Sequence, residues 1–313
     1  MTESDPHVVD PGDEQRHSPD DDALWNESHY LDFVSGDGTL AGYLRIGLYP
    51  NLGVTWWTAM VVGPGRPTVA SMAYDLPVPV SGLGLHEGGY AMDTDVVRPL
   101  TEVRVHGSAP GAVHDDPAAI YRDEPGAPTT VGLDLSWRTD GVPYQYGVTT
   151  RYEIPCLVEG TVTVGGEVMS VTGHGQRDHS WGVRDWWAFG WCWLAGRLDD
   201  GTRVHGADIR IPGMPLALGY VQPPSGEVMT VTELKVTEDV DGDGLPLTGR
   251  AEIEPGAIDL TIEPIAFGPL VLTSTDGRVS RFPRAQVQFV AADGRQGTGW
   301  VEWNQPQPDV SGR

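Results

Sequence analysis

The stretch His29–Val62, HYLDFVSGDGTLAGYLRIGLYPNLGVTWWTAMVV, reads as three consecutive strands. Short apolar or alternating runs cover His29–Ser35, Thr39–Tyr49 and Val54–Val62, separated by Gly36-Asp37-Gly38 and Pro50-Asn51-Leu52-Gly53. Both connections are rich in residues that accept positive φ, so the three runs are predicted to pair antiparallel. The same punctuation continues along the chain. Strands are predicted at 67–75, 90–95, 99–107, 130–138, 144–153, 156–164 and 167–179. Beyond these they are predicted at 187–198, 202–211, 217–222, 229–238, 247–254, 257–265, 284–292 and 297–303. Gly165-Gly166 between Val164 and Glu167 is a two-residue hairpin signal. A short helix at 116–122 fits the loop-like insert 108–128. No segment keeps a 3.6-residue apolar period beyond two turns, and 41 Gly with 26 Pro disfavour long helices. The expected fold is therefore all-β, with sixteen strands or slightly more in two barrel-like halves. The expected division is a disordered acidic tail over 1–22, one domain over 23–155, a second over 156–305, and a flexible tail over 306–313.

Composition narrows the partners. A net charge of −24 argues against nucleic acid and anionic membrane surfaces, which repel an acidic protein. Lys235 is the only lysine, which reads mainly as a GC-rich coding bias. Cys156 and Cys192 are the only cysteines, too few for a disulfide framework and expected to be reduced. No leader pattern opens the chain and no window approaches a membrane span, so a cytoplasmic location is expected.

The densest chemistry lies at Gly173–Trp187, GHGQRDHSWGVRDWW, with Trp191 and Trp193 following. Two acids, two histidines and two arginines sit there among three tryptophans, and titratable groups beside aromatic faces suit proton transfer in an apolar pocket. Strand parity splits the stretch: Arg177, His179 and Trp181 point one way, His174, Gln176 and Asp178 the other. A bulge at Gly173 or Gly175 would reunite the two sets. Downstream, Trp187, Phe189, Trp191 and Trp193 are predicted to form one aromatic face, opposite a small-residue face of Ala188, Gly190, Cys192 and Leu194.

Plainer readings stand beside these. Asp178 and Asp185 flanked by Arg177 and Arg184 fit ion pairs between hairpin neighbours, His179 fits a satisfied polar group under a barrel rim, and the tryptophans fit core. Burying so many polar groups costs free energy unless each finds a partner, so stability alone does not account for the cluster. A zinc site from His174, His179 and His205 is weighed and set aside, because no cysteine pair or third closely spaced ligand supports it; no metal is expected. Asp239–Gly244 imitates the start of a calcium loop, but Arg250 occupies its twelfth position, and an exposed hairpin turn is expected.

Gly175-Gln176-Arg177-Asp178-His179-Ser180-Trp181-Gly182, together with His29–Phe33 and Gly42–Asn51, resembles the signature of AttH-like and carotenoid 1,2-hydratase-like proteins, in an uncharacterised actinobacterial branch. The resemblance covers about residues 25–305. It implies two lipocalin-like antiparallel β-barrel domains packed together, with a ligand cavity at their junction. Relatives of this kind hydrate alkenes, close rings or promote cycloadditions on hydrophobic isoprenoid-like molecules. The implied function is therefore binding of an isoprenoid, steroid or lipid-like ligand, with cofactor-free acid–base chemistry of the hydration, cyclisation or isomerisation type. A non-catalytic carrier is the alternative. The Asp-His-x-Trp core falls on Asp178 as general acid, His179 as its orienting or proton-exchanging partner, and Trp181 beside developing charge. If Arg177 or Arg184 pairs with Asp178, His179 becomes the better acid. His174, Arg177, Arg184, Asp185, Trp187, Trp191 and Tyr220 are the expected ligand-binding residues, and Asp185 or Asp208 the candidates for a second acid.

Overall fold

The computed structural model describes residues 8–225 and 227–308. Ten strands form the first sheet: β1 (Trp25–Ser35), β2 (Ala41–Tyr49), β3 (Val54–Val62), β4 (Thr68–Pro77), β5 (Ala91–Arg98), β6 (Glu102–His114), β7 (Ala127–Thr139), β8 (Tyr144–Gln145), β9 (Arg151–Val164) and β10 (Glu167–Val183). The path β10-β1-β2-β3-β4-β6-β7-β9 returns to its start, because β9 also pairs with β10. That makes an eight-stranded closed barrel, with β5 and β8 as side strands on β6 and β9. Its core is built from alternate residues, among them Leu31 and Phe33 of β1, Leu44 and Ile46 of β2, and Tyr152, Ile154 and Val158 of β9. The hairpin turn at Gly165-Gly166 has the expected left-handed backbone, with φ of 55° and 95°.

Eleven strands form the second sheet: β11 (Gly190–Leu198), β12 (Arg203–Arg210), β13 (Leu216–Gln222), β14 (Met229–Thr230), β15 (Glu233–Val240), β16 (Pro246–Glu254), β17 (Ile258–Phe267), β18 (Leu270–Thr273), β19 (Val279–Phe282), β20 (Arg284–Ala291) and β21 (Gln296–Pro306). The order is β14-β13-β12-β11-β21-β20-β17-β16-β15, with the hairpin β18–β19 attached to β21. The sheet curls so that Arg210 of β12 reaches Glu238 of β15 at 2.6 and 2.8 Å. A cleft of about 570 Å³ remains at this seam, bordered by Asp208, Leu216, Leu234, Ile253 and Ile258.

Three expectations on organisation change. The boundary expected between 155 and 156 falls inside β9, whose fourteen residues pair continuously with β10; the first unit runs to Arg184 and the second takes Asp185 onward, together with Val62–Thr68 and His114–Pro125. Residues 8–22, expected to be a disordered tail, hold Val9 in the first core and a short 3-10 turn at Pro11–Glu14 whose Glu14 is buried; residues 1–7 lie outside the described part. At the other end β21 extends to Pro306, inside the span expected to be flexible, while 309–313 lie outside the described residues. The helix expected at 116–122 is a 3-10 turn, Pro117–Arg122. Asp239–Gly244 is the expected hairpin turn, with Asp241 Oδ1 accepting the backbone N–H groups of Asp243 and Leu245. Both cysteines are free and buried. Among the described residues, no helix is long and apolar enough to cross a membrane.

Candidate functional site

β10 runs through the first unit without the bulge that would have joined its two residue sets. Its pairing keeps one register with β1 (Trp25 opposite Val183, Ser35 opposite Gly173) and one with β9. Glycines stand at 173 and 175 because β1 approaches closely: a Cβ there would lie 2.0 Å from the Val34 carbonyl oxygen and 1.9 Å from that of Asp32. The strand therefore presents two separate sites, one on each face.

On the inner face, His179 is fully buried between His29 and Tyr152. Its Nε2 lies 2.8 Å from Glu27 Oε1 and its Nδ1 3.2 Å from the Tyr152 hydroxyl. His17, from the segment preceding β1, meets the same carboxylate: Nδ1 at 2.7 Å from Oε1, and its backbone N–H donating to Oε2 at 2.8 Å. Burial raises the Glu27 carboxyl, but the hydrogen bonds from His179 and His17 outweigh it and hold the group below its ordinary 4.5. Burial, with His179 alongside, holds His29 well below 6.5. Burial pushes the Tyr152 phenol well above 10, with the Glu14 carboxylate adding to it. Trp181 lies flat on the His17 ring at 3.7 Å, so one of its π faces is already covered. Arg177 donates to Glu14 at 2.7 Å, both side chains being almost without solvent contact.

On the outer face stand Gln176 and Asp178 of β10, Tyr30 and Asp32 of β1, and Arg151 and Glu153 of β9. Arg151 clamps two carboxylates, donating to Asp178 Oδ2 at 2.7 Å and to Glu153 Oε1 at 2.8 Å. Desolvation works against the guanidinium, yet Asp178 and Glu153 together hold its pKa above the ordinary arginine value. Glu153 also accepts from Gln176 Nε2 at 2.9 Å and from the Tyr146 hydroxyl at 3.4 Å. Arg184 donates to Thr149 Oγ1 at 3.1 Å, and burial, with the like charge of Arg151, lowers it to about 10. Tyrosines continue this layer: Tyr30 and Tyr43 lie 5.9 Å apart, and Tyr49, Trp56 and Tyr74 follow at 4.2 and 5.7 Å. β1 is buried along its whole length, on both faces.

The remaining predicted residues are not part of either set. Asp185 and Arg184 do not pair: Asp185 takes both carboxylate oxygens to Arg278 at 3.0 Å, in the second unit. Trp187 precedes β11 in a turn instead of lying on a strand. It is buried, with Nε1–H donating to the Leu272 carbonyl at 3.0 Å and Arg278 over its ring at 5.4 Å. Trp191 donates to Glu302 at 3.1 Å and packs with Trp186 and Phe282. The face expected to be merely small is the core face here, for Cys192 and Leu194 belong to the second core. Tyr220 is buried against His205 in the second unit, and His205 itself points Nδ1 at the Leu194 carbonyl. His174 lies on β10 opposite Val34 and Leu157. Asp208 borders the seam cleft and is held by Arg210 at 3.2 Å. The sequence reading missed Glu14, His17, Glu27, Tyr152, Arg151 and Glu153, none of which lies in the dense stretch. Strand register connects Glu27, Tyr152, Arg151 and Glu153 to it, and side-chain contacts to Arg177 and Glu27 bring in Glu14 and His17.

The chain matches a family model of a domain of unknown function, DUF7064, over residues 10–307, and belongs to that family. Comparison with curated proteins gives no sequence match. Among solved structures it is similar to kievitone hydratase of Nectria haematococca, at 13% identity and a TM-score of 0.64 over 95% of this chain and 93% of that one. An AttH candidate of Nitrosomonas europaea gives 16% identity and 0.57 over 95% and 96%. CghA in complex with Sch210972 gives 11% identity and 0.55 over 91% and 89%. At these identities the likeness establishes the fold: a chain of two curled antiparallel units of the lipocalin-like kind.

Proposed function

We propose that the protein binds a hydrophobic small molecule, of the isoprenoid, steroid or lipid-like class, and performs cofactor-free acid–base chemistry on it, with Asp178 as the proton-transfer group. The observation that carries this reading is the Arg151–Asp178 contact of 2.7 Å beside the buried Tyr30, Tyr43 and Tyr49 and the half-buried Trp56. A guanidinium in contact favours the carboxylate, so Asp178 works first as a base and returns its proton later, the reverse of the order expected from the sequence. The carboxylate is oriented by Arg151, and the aromatic layer supplies apolar surface with hydroxyls at its edge. Tyr30, directly opposite Asp178 on β1, offers a hydroxyl of the type needed to protonate a leaving group. Hydration, dehydration or isomerisation next to a carbonyl suits a carboxylate base paired with a phenol. The similarity to a hydratase in fold agrees with this class.

His179 faces the opposite side of the strand and does not exchange protons with Asp178 in this reading. A carrier function is the second reading, favoured by the pairing of Arg151 with both Asp178 and Glu153. Wild type and Asp178→Asn are compared across a panel of terpenoid, steroid and phenolic enone ligands. Loss of turnover by about 10²–10⁴-fold with binding retained supports the enzyme. Equal binding and no turnover by either protein supports the carrier, and absence of binding to the whole panel defeats both.

A further inference from the structure

The inner-face cluster assembles three metal-type donors that no sequence motif joins. His17 Nδ1, Glu27 Oε1 and His179 Nε2 all lie within 4.8 Å of one another. The two imidazole–carboxylate contacts are 2.7 and 2.8 Å. A tetrahedral ion with bonds of about 2.0–2.1 Å keeps its donors about 3.3 Å apart. Each contact therefore has to open by only about half an ångström to admit one.

A hydrogen-bonded trio needs nothing beyond itself; a metal site needs each donor oriented from behind. That second layer is present. His17 Nε2 faces Asp13 Oδ1 at 3.6 Å, His179 Nδ1 faces the Tyr152 hydroxyl at 3.2 Å, and Glu27 Oε2 is held by the His17 backbone N–H at 2.8 Å. Contacts of this kind hold the two rings in place, so that an ion displacing the ring protons that face Glu27 meets nitrogen donors already aimed at it. Trp181 fixes the plane of the His17 ring by stacking at 3.7 Å and 7°. The charges also suit a divalent ion. Glu27 and Asp13 supply two carboxylates around it, while the neighbouring Arg177 is already neutralised by Glu14.

The geometry points to a divalent transition-metal site of the zinc class formed by His17, Glu27 and His179, which fastens the segment before β1 to β1 and β10. Two imidazoles and one carboxylate suit zinc and its first-row neighbours better than calcium or magnesium, which take oxygen donors. The site lies on the inner face and does not depend on the reading of Asp178.

The full chain, stripped with a chelator, is titrated with Co²⁺ alone and followed by visible absorption, metal analysis and thermal unfolding. One Co²⁺ per chain, with d–d bands and a higher Tm, is expected for wild type. His17→Ala and Glu27→Gln should weaken binding at least about tenfold, while His86→Ala, at an exposed histidine, leaves it unchanged. Circular dichroism checks that each variant folds. His17→Gln, which can keep a hydrogen bond to Glu27 but offers no imidazole, covers the case in which His17→Ala does not. No Co²⁺ uptake by wild type, or uptake unaltered in folded His17 variants, overturns the site. Asp178→Asn is run alongside and should bind Co²⁺ as wild type does, so failure of the catalytic reading and failure of the metal site give different results.

Discussion

The two faces of β10 solve the same problem by different means. On the inner face, imidazoles and a carboxylate satisfy one another around Glu27, with His17 brought in from the chain before β1. On the outer face, one guanidinium from β9 holds two carboxylates beside a layer of tyrosines. Asp178 and His179 are neighbours in sequence, yet a period of two sends them to different environments with different partners. Adjacency within a motif therefore says little about shared chemistry once the motif is a strand. The inner face has the features of a fastening, and the outer face carries the charged cluster on which the proposed function rests.

Four measurements would break or sharpen that contrast. The largest effect is expected for Arg177→Leu, which leaves Glu14 charged and buried on the inner face. Urea denaturation should show a loss of about 3–5 kcal/mol, and a loss below 1 would mean that the N-terminal segment is not fastened. Next is acid sensitivity. His29 is kept neutral by burial, with its folded pKa below 6.5, so the unfolded chain takes up the proton first. Stability present above pH 6.5 is then lost as pH falls toward the folded pKa, with a slope of up to about 1.4 kcal/mol per pH unit for one proton. Glu27, also depressed, adds a loss only as pH falls below about 4.5 through its folded pKa. His29→Gln should flatten the upper part of the profile and Glu27→Gln the lower part; an unchanged profile in both would assign the acid response elsewhere. Third, if the faces are independent, a double-mutant cycle of Arg177→Leu with Arg151→Leu should give a coupling of no more than about 0.5 kcal/mol. A larger coupling would show that the strand transmits strain between them. The smallest effect belongs to the exposed Arg104–Asp134 pair on β6 and β7, 2.9 Å apart. Arg104→Ala should leave Tm unchanged within error, because solvent screens such pairs.

Much of the fold was legible because strand signals are local. The turns Gly36–Gly38 and Gly165-Gly166 and the Asp239–Gly244 hairpin are set by φ preferences and side-chain to backbone bonds within a few residues. The segment over 8–22 was not legible as structure, since it has no apolar period. Buried Val9, the Glu14–Arg177 ion pair and the His17 contacts with Glu27 and Trp181 place it instead, and the Glu14 partner lies 163 residues away. The candidate site was legible as a location and not as an arrangement. Arg151, the partner of Asp178, is 27 residues distant and adjacent only through the β9–β10 register. The tryptophans after Gly182 looked like one wall, but Trp187 sits in a turn and gives its indole N–H to Leu272.

By itself the sequence determined the strand-and-turn grammar, the all-β class and the parity that separates Asp178 from His179, because these follow from backbone sterics and a two-residue period. Only the tertiary structure decided which groups meet across each face, which strands close the barrel, and that Arg151 of β9 holds Asp178. The physical reason is that charge neutralisation in a buried layer is satisfied by whichever partner register brings within hydrogen-bond distance, and register is a property of the closed sheet, beyond the reach of any one segment.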